Sequence, residues 1–391
     1  MTLDIEKIRA ETPGVAHGVH LLAAGSALMP QCVVDAVIKH TELEARIGGY
    51  EAKAQCADVL DGVYDSVARL IGAGRHEIAL MENATVAWCH AFYALPLKSG
   101  ARILTCEAEY AANYVAFIQR AKRDGLTIDI VPSDAAGAVD LDALDNMIDD
   151  RVGLIAMTWV PTNGGLVNPA AEVGKIAKKY GIPYLLDACQ AVGQMPVDVG
   201  ELGCDFLSAT GRKFLRGPRG TGFLYVAEKW LETLEPAMID HFGAPWVSTG
   251  AYQLRDDARR FETWENSYAL RAGLGVAVDY ATSLGMEAIR LRVKKLASLC
   301  RDGLQTVDGA QIRDIGSEHC GIVSFTIEGM DADATVAGLR ENGIVIGAST
   351  PFSTLIDAQR RKLPTVMRMA PHYYNTEAEI ERFFAVLKGL R

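Results

Sequence analysis

The chain has 391 residues, with Lys+Arg 39 against Asp+Glu 49 and a formal net charge of −10. Its cations are scattered rather than gathered into a stripe, which argues against nucleic acid or an anionic membrane as a partner and for a small-molecule substrate. The length exceeds what one hydrophobic core usually serves, so two domains around a shared site are expected.

No stretch approaches the roughly 20 apolar residues that span a bilayer, and the opening MTLDIEKIRAETPG carries acids where a secretory signal has an apolar segment. A cytoplasmic protein is expected. Cys32, Cys56, Cys89, Cys106, Cys189, Cys204, Cys300 and Cys320 are spread without a CxxC pair, so free thiols are expected rather than disulfides or a metal site.

Residues 1–69, with the Gly48-Gly49 pair between helical patterns, read as an arm of helices packed on the domains. Residues 70–267 read as the large domain. There EIALM leads to a helix opening at Asn83-Ala84-Thr85, RILTC to a helix from about Tyr110, then come TIDIVP, GLIAMTW, the helix PAAEVGKIAKKYG and the strand IPYLLDA. Alternation of short apolar strands with helices predicts a mainly parallel sheet. Residues 268–391, with a long helical stretch, GIVSFTIEGM, a helix near Asp333 and MRMAPHYYN before a closing helix, read as a smaller α+β domain.

In open α/β sheets ligands sit beyond the carboxyl ends of the strands. The chemistry-bearing residues fall there. Lys213 stands among three arginines in Ser208-Ala209-Thr210-Gly211-Arg212-Lys213-Phe214-Leu215-Arg216-Gly217-Pro218-Arg219-Gly220. Neighbouring cations lower an amine's hold on its proton and so prepare a nucleophile and base; taken alone, the segment also describes a basic surface loop. Asp187 ends the run IPYLL, where a buried carboxylate needs a partner: an arginine, a helix N-terminus or a pyridinium nitrogen. Gln190, three residues on, is placed to donate to the phenolic oxygen of such a ring. The backbone N–H groups of Ala84 and Thr85, with the Thr85 hydroxyl, offer a phosphate cup or a plain N-cap. Tyr110 offers a ring face for stacking or ordinary packing.

The order and spacing of these pieces resemble class V of the fold-type-I enzymes that use pyridoxal 5′-phosphate (PLP). The signature is carried by Asp187 and Gln190, then Thr210-Gly211-Arg212-Lys213, then Gly217-Pro218-Arg219-Gly220-Thr221-Gly222. The resemblance implies an α/β fold with a mainly parallel seven-stranded sheet, a smaller α+β C-terminal domain and a homodimer. It makes Lys213 the Schiff-base lysine, Asp187 the partner of the ring nitrogen and Gln190 the contact to the ring oxygen. Thr210 and Arg212 stand where relatives hold the phosphate with Ser and His, and Tyr110 where many place a stacking histidine. Arg368, in Val366-Met367-Arg368-Met369-Ala370-Pro371, matches the clamp for a substrate α-carboxylate. Thr162 and Asn163, in Pro161-Thr162-Asn163-Gly164-Gly165, fall where relatives touch substrate, and Glu262 and Trp264 where they approach the neighbouring subunit's site.

Within class V, cysteine desulfurases place a sulfur-accepting cysteine on a loop before the clamp arginine. Here that stretch is Gly347-Ala348-Ser349-Thr350-Pro351-Phe352-Ser353-Thr354, without cysteine, so a persulfide-type desulfurase is disfavoured. Gly48-Gly49-Tyr50, Pro161-Thr162-Asn163-Gly164-Gly165 and Arg260-Phe261-Glu262-Thr263-Trp264-Glu265 look more like hercynylcysteine sulfoxide lyase and isopenicillin-epimerase-like proteins. The expectation is a PLP-dependent carbon–sulfur lyase releasing pyruvate and ammonia by β-elimination. A class V aminotransferase or an amino-acid epimerase is the alternative. A protein that binds PLP or an amino acid without turnover is disfavoured, because Lys213, Asp187 and Arg368 are present together.

Overall fold

The computed structural model describes residues 3–390. Seven strands form one sheet: β1 Ile78–Met81, β2 Arg102–Cys106, β3 Thr127–Val131, β4 Val152–Thr158, β5 Tyr184–Asp187, β6 Phe206–Thr210 and β7 Gly222–Val226. Their order across the sheet is β1-β7-β6-β5-β4-β2-β3. From β6 to β3 neighbours run parallel, while β7 is antiparallel to both β6 and β1. The α/β fold with a mainly parallel seven-stranded sheet is the one expected.

Burial follows the position of each strand. Every residue of β1, β5, β6 and β7 is buried, as a sheet covered on both faces requires, whereas the edge strand β3 is largely part-exposed. Alternate side chains feed two cores. Leu104, Tyr184 and Leu186 join one with Val67, Val173 and Val278, and Ile103 and Leu185 join the other with Trp88, Phe92 and Phe117. The helices Ala84–Ala94 and Ala111–Asp124 cover that second face; the latter ends at Gly125 in the left-handed region at φ 72°, a conformation glycine adopts without a Cβ penalty.

A second, antiparallel sheet combines Ala310–Ile312, Val323–Ile327, Val366–Met369 and Gly347–Ser349 in that order. Its core holds Phe325, Met367 and Met369 against Leu296, Cys300, Phe383 and Leu387 of the helices Met286–Gln305 and Glu377–Gly389. Val19 and Leu21 of the N-terminal arm enter this core, and Val19–His20 pairs with Ile344–Val345. The helix Tyr268–Leu284, grouped above with the C-terminal domain, packs on the arm helices Gln31–Ile47 and Ala57–Ile71 and gives Leu274, Val278 and Ala281 to the large core. Among the described residues no helix is long and apolar enough to cross a membrane. All eight cysteines are free.

Candidate active site

The carboxyl ends of β4, β5 and β6 bring Thr158, Asp187 and Thr210 to one edge, Asp187 standing in register with both Thr158 and Ser208. Opposite them the helix Ala84–Ala94 begins, its Asn83 cap accepting from Val86 N at 2.9 Å. Between lies a cavity of about 560 Å³, a size suited to a small-molecule ligand. Ala84, Thr85, Tyr110, Asp187, Thr210, Arg212 and Lys213 all line it.

Lys213 is 8% exposed, and its Nζ lies 6.0 Å from the centroid of the Tyr110 ring. Its loop is held by close packing: Gly193, at φ 93°, lies against the backbone of Phe214 and Leu215. Of the three arginines around the lysine, Arg216 is fully buried, its Nε donating to the Leu28 carbonyl at 2.7 Å and one Nη to Thr12 Oγ1 at 2.6 Å. Arg212 donates to the Gly25 carbonyl, and Arg219 lines the cavity.

Asp187 is buried and, among the described residues, forms no ion pair with an arginine, so that bland account of it falls away. Its Oδ1 accepts from Cys189 N and its Oδ2 from Asn113 Nδ2, both at 2.9 Å. Cys189 also lines the cavity; burial pushes its thiol pKa up, against the pull of the Lys213 charge. Gln190, expected on the ring oxygen, is not among the cavity-lining residues; its Nε2 donates to the Ala24 carbonyl of the arm at 3.1 Å, and its buried Oε1 has no partner among the described residues. Thr210 lines the cavity while its hydroxyl donates to the Thr221 carbonyl at 3.2 Å.

Arg368 and Thr162 meet directly. One guanidinium Nη donates to the Thr162 carbonyl at 2.9 Å and to its hydroxyl, and burial lowers the arginine to about 10. Arg368 Nε and the buried Asn163 Oδ1 have no hydrogen-bond partner among the described residues. Glu262 is a residue expected to approach the neighbouring subunit's site. It is buried in its own chain, where the Tyr64 hydroxyl donates to both its oxygens at 2.8 and 3.0 Å, Leu80 N donates at 3.0 Å and Arg271 pairs with it at 2.9 Å. A carboxylate after the apolar stretch needs such partners, and Arg271 supplies the charge. Trp264 is 36% exposed and stacks on His241 with ring centroids 5.0 Å apart.

Glu109, Asn113 and Thr158 were not singled out by the sequence reading. Glu109 is buried and accepts from Tyr110 N, Asn113 Nδ2 and Thr158 N. Desolvation, with a smaller contribution from the charge of Asp187, pushes its carboxyl up to about 7. The Glu109–Asn113 spacing of four at a helix start was the available signal.

The residues present fit PLP. A buried amine and a buried carboxylate flank the cavity, an aromatic ring faces it, and a helix N-terminus with unpaired amides opens into it. The family model described as Aminotransferase class-V matches residues 19–383. The chain belongs to this family. A class-V relative, the cysteine desulfurase of Serratia proteamaculans, is 30% identical over 409 residues, covering 100% of this chain and 99% of that protein. Among solved structures the chain is similar to an apo cysteine desulfurase from Thermococcus onnurineus NA1, with TM-score 0.93 and 26% identity over 100% of this chain and 98% of that one. A cystine C-S lyase in complex with cysteine persulfide shares the fold, with TM-score 0.87 and 22% identity over 96% of this chain and 98% of that one. The class-V fold and PLP as cofactor are thus as expected. The finer likeness is corrected: the curated relatives are cysteine desulfurases or probable ones, rather than the hercynylcysteine sulfoxide lyase and epimerase-like proteins expected from the sequence.

Proposed function

We propose that this class-V enzyme is a carbon–sulfur lyase that cleaves the Cβ–S bond of a sulfur-substituted amino acid and releases pyruvate and ammonia. One contrast carries the reading. Lys213, Asp187 and Arg368 are all in place, while the segment where the resemblance puts a sulfur-accepting cysteine is Gly347 to Thr354, with Phe352 as its large apolar side chain, 72% exposed.

PLP, when bound, supplies an electron sink for the carbanion formed at the substrate's Cα. Arg368, aimed by Thr162, grips the α-carboxylate in a planar, bidentate geometry. Lys213 anchors the cofactor, then acts as the base that removes the Cα proton. Asp187, oriented by Cys189 N and Asn113, would hold the ring nitrogen of PLP and keep a proton on it. Tyr110 covers one face of the cavity.

The names of the relatives favour a second reading, a desulfurase that leaves alanine and passes sulfur to an acceptor. An aminotransferase or epimerase uses the same residues up to loss of the Cα proton. The proposal includes a homodimer, for which the exposed Trp246, Val247 and Tyr252 provide apolar surface to cover.

The test is turnover of a panel of cysteine S-conjugates and their sulfoxides, with pyruvate and ammonia assayed and Lys213→Ala as control. Equal amounts of both products, lost in the variant, support the lyase. Keto-acid-dependent amine transfer or Cα proton exchange without pyruvate overturns it.

A further inference from the structure

A polar bridge lies behind Asp187, and its far end, Glu109, plays no part in the proposed reaction. Glu109, just after β2, is 3% exposed. Its Oε1 accepts from Asn113 Nδ2 and Tyr110 N, each at 2.8 Å, and from the Thr158 hydroxyl. Its Oε2 accepts from the Thr105 hydroxyl at 3.0 Å and Thr158 N at 3.1 Å. The same Asn113 Nδ2 donates to Asp187 Oδ2 at 2.9 Å. One amide therefore joins two buried carboxylates, and neither has a salt-bridge partner among the described residues.

Counting the Cys106 thiol, six hydrogen bonds hold Glu109, and all come from neutral donors. The titratable groups facing it are Cys106 of β2, whose Sγ lies 3.9 Å away, Tyr184 and Asp187 of β5, and Tyr110 of its own segment. None of these brings a positive charge. A negative charge held in a low-dielectric interior strengthens the proton affinity of basic groups nearby.

We propose that Glu109 is a positioning residue for the ring-nitrogen proton: through Asn113 it fixes Asp187, and its charge favours the protonated ring that Asp187 faces. Burial raises Glu109 to about 7, so the charge it contributes changes near neutral pH. This inference rests on the cavity being the PLP pocket and is independent of which product the enzyme releases.

The experiment uses the holoenzyme with PLP labelled by ¹⁵N in the ring, so that the nitrogen chemical shift against pH reads ring protonation without substrate. In Glu109→Gln the titration point falls by about one pH unit, a tenfold loss of proton affinity. Glu109→Asp, which keeps the charge, stays near wild type. Asn113→Ser keeps both carboxylates but removes the bridge, and moves in the same direction as Glu109→Gln; it decides the matter if Glu109→Gln does not fold. Unchanged nitrogen titration in the folded variants, with only a lower melting temperature, overturns the proposal. Absence of any bound ring signal in wild type would instead count against the pocket assignment, and so is a separate failure.

Discussion

Arg368 reaches from the antiparallel sheet to Thr162 beyond the end of β4, its Nη1 2.9 Å from the Thr162 carbonyl. The guanidinium is thereby held in place, and its Nε has no partner among the described residues. Arg368→Lys keeps the charge but loses the planar fork. We expect kcat/KM to fall roughly a hundredfold, chiefly through KM, as measured by steady-state kinetics. A change confined to kcat would assign Arg368 to something other than carboxylate binding.

Gly193 is the second point of leverage. At φ 93° it lies so close to the lysine loop that a Cβ would sit 2.2 Å from Leu215 N and 2.3 Å from Phe214 C. Gly193→Ala must push that loop and Lys213 with it, at a cost of more than about 3 kcal/mol. Denaturant unfolding and PLP retention both fall; a variant that keeps normal PLP content shows that the loop moves without the lysine.

Glu262 makes a structural prediction beside the interfacial one. Glu262→Ala leaves Arg271 buried without its counter-charge and Tyr64 without an acceptor, and costs about 3–5 kcal/mol. Thermal melting of the isolated protein checks this. A near-neutral result would mean that the Tyr64–Glu262–Arg271 cluster is not held together in solution.

The acid response of the apoprotein carries the sign of a buried carboxyl. Glu109 holds its proton up to about 7 when folded, against 4.5 as its ordinary value. Its favourable contribution is therefore present below the unfolded value and is lost as pH rises through the folded one, about 3 kcal/mol in all. In urea unfolding, the stability advantage of wild type over Glu109→Gln narrows by about that amount between pH 5 and pH 8. A difference independent of pH would mean that Glu109 is ionised throughout.

Much of the sheet was legible because β-branched and leucine-rich runs separated by helical periods leave few other arrangements. Lys213, Asp187, Thr85 and Thr210 followed, since each sits at a strand end or helix start, where position alone brings it to the cavity. Side-chain direction was not legible in this way. The Nε2 of Gln190 donates to the Ala24 carbonyl, an acceptor on an arm 166 residues away in sequence. The partners of Glu262 were hidden for the same reason: Tyr64, Leu80 and Arg271 converge only in three dimensions. The role of Asn113 depends on one amide lying between two carboxylates, which spacing along a single helix does not reveal.

The central claim turns on the carbon skeleton left when sulfur departs. The decisive measurement is identification of that skeleton by NMR from ¹³C-labelled cysteine, with a thiol present to accept sulfur, and from its ¹³C-labelled S-conjugates, each turned over by the PLP-loaded enzyme. The lyase account predicts labelled pyruvate matched by ammonia, absent with Lys213→Ala. Labelled alanine in its place would contradict it and establish a desulfurase.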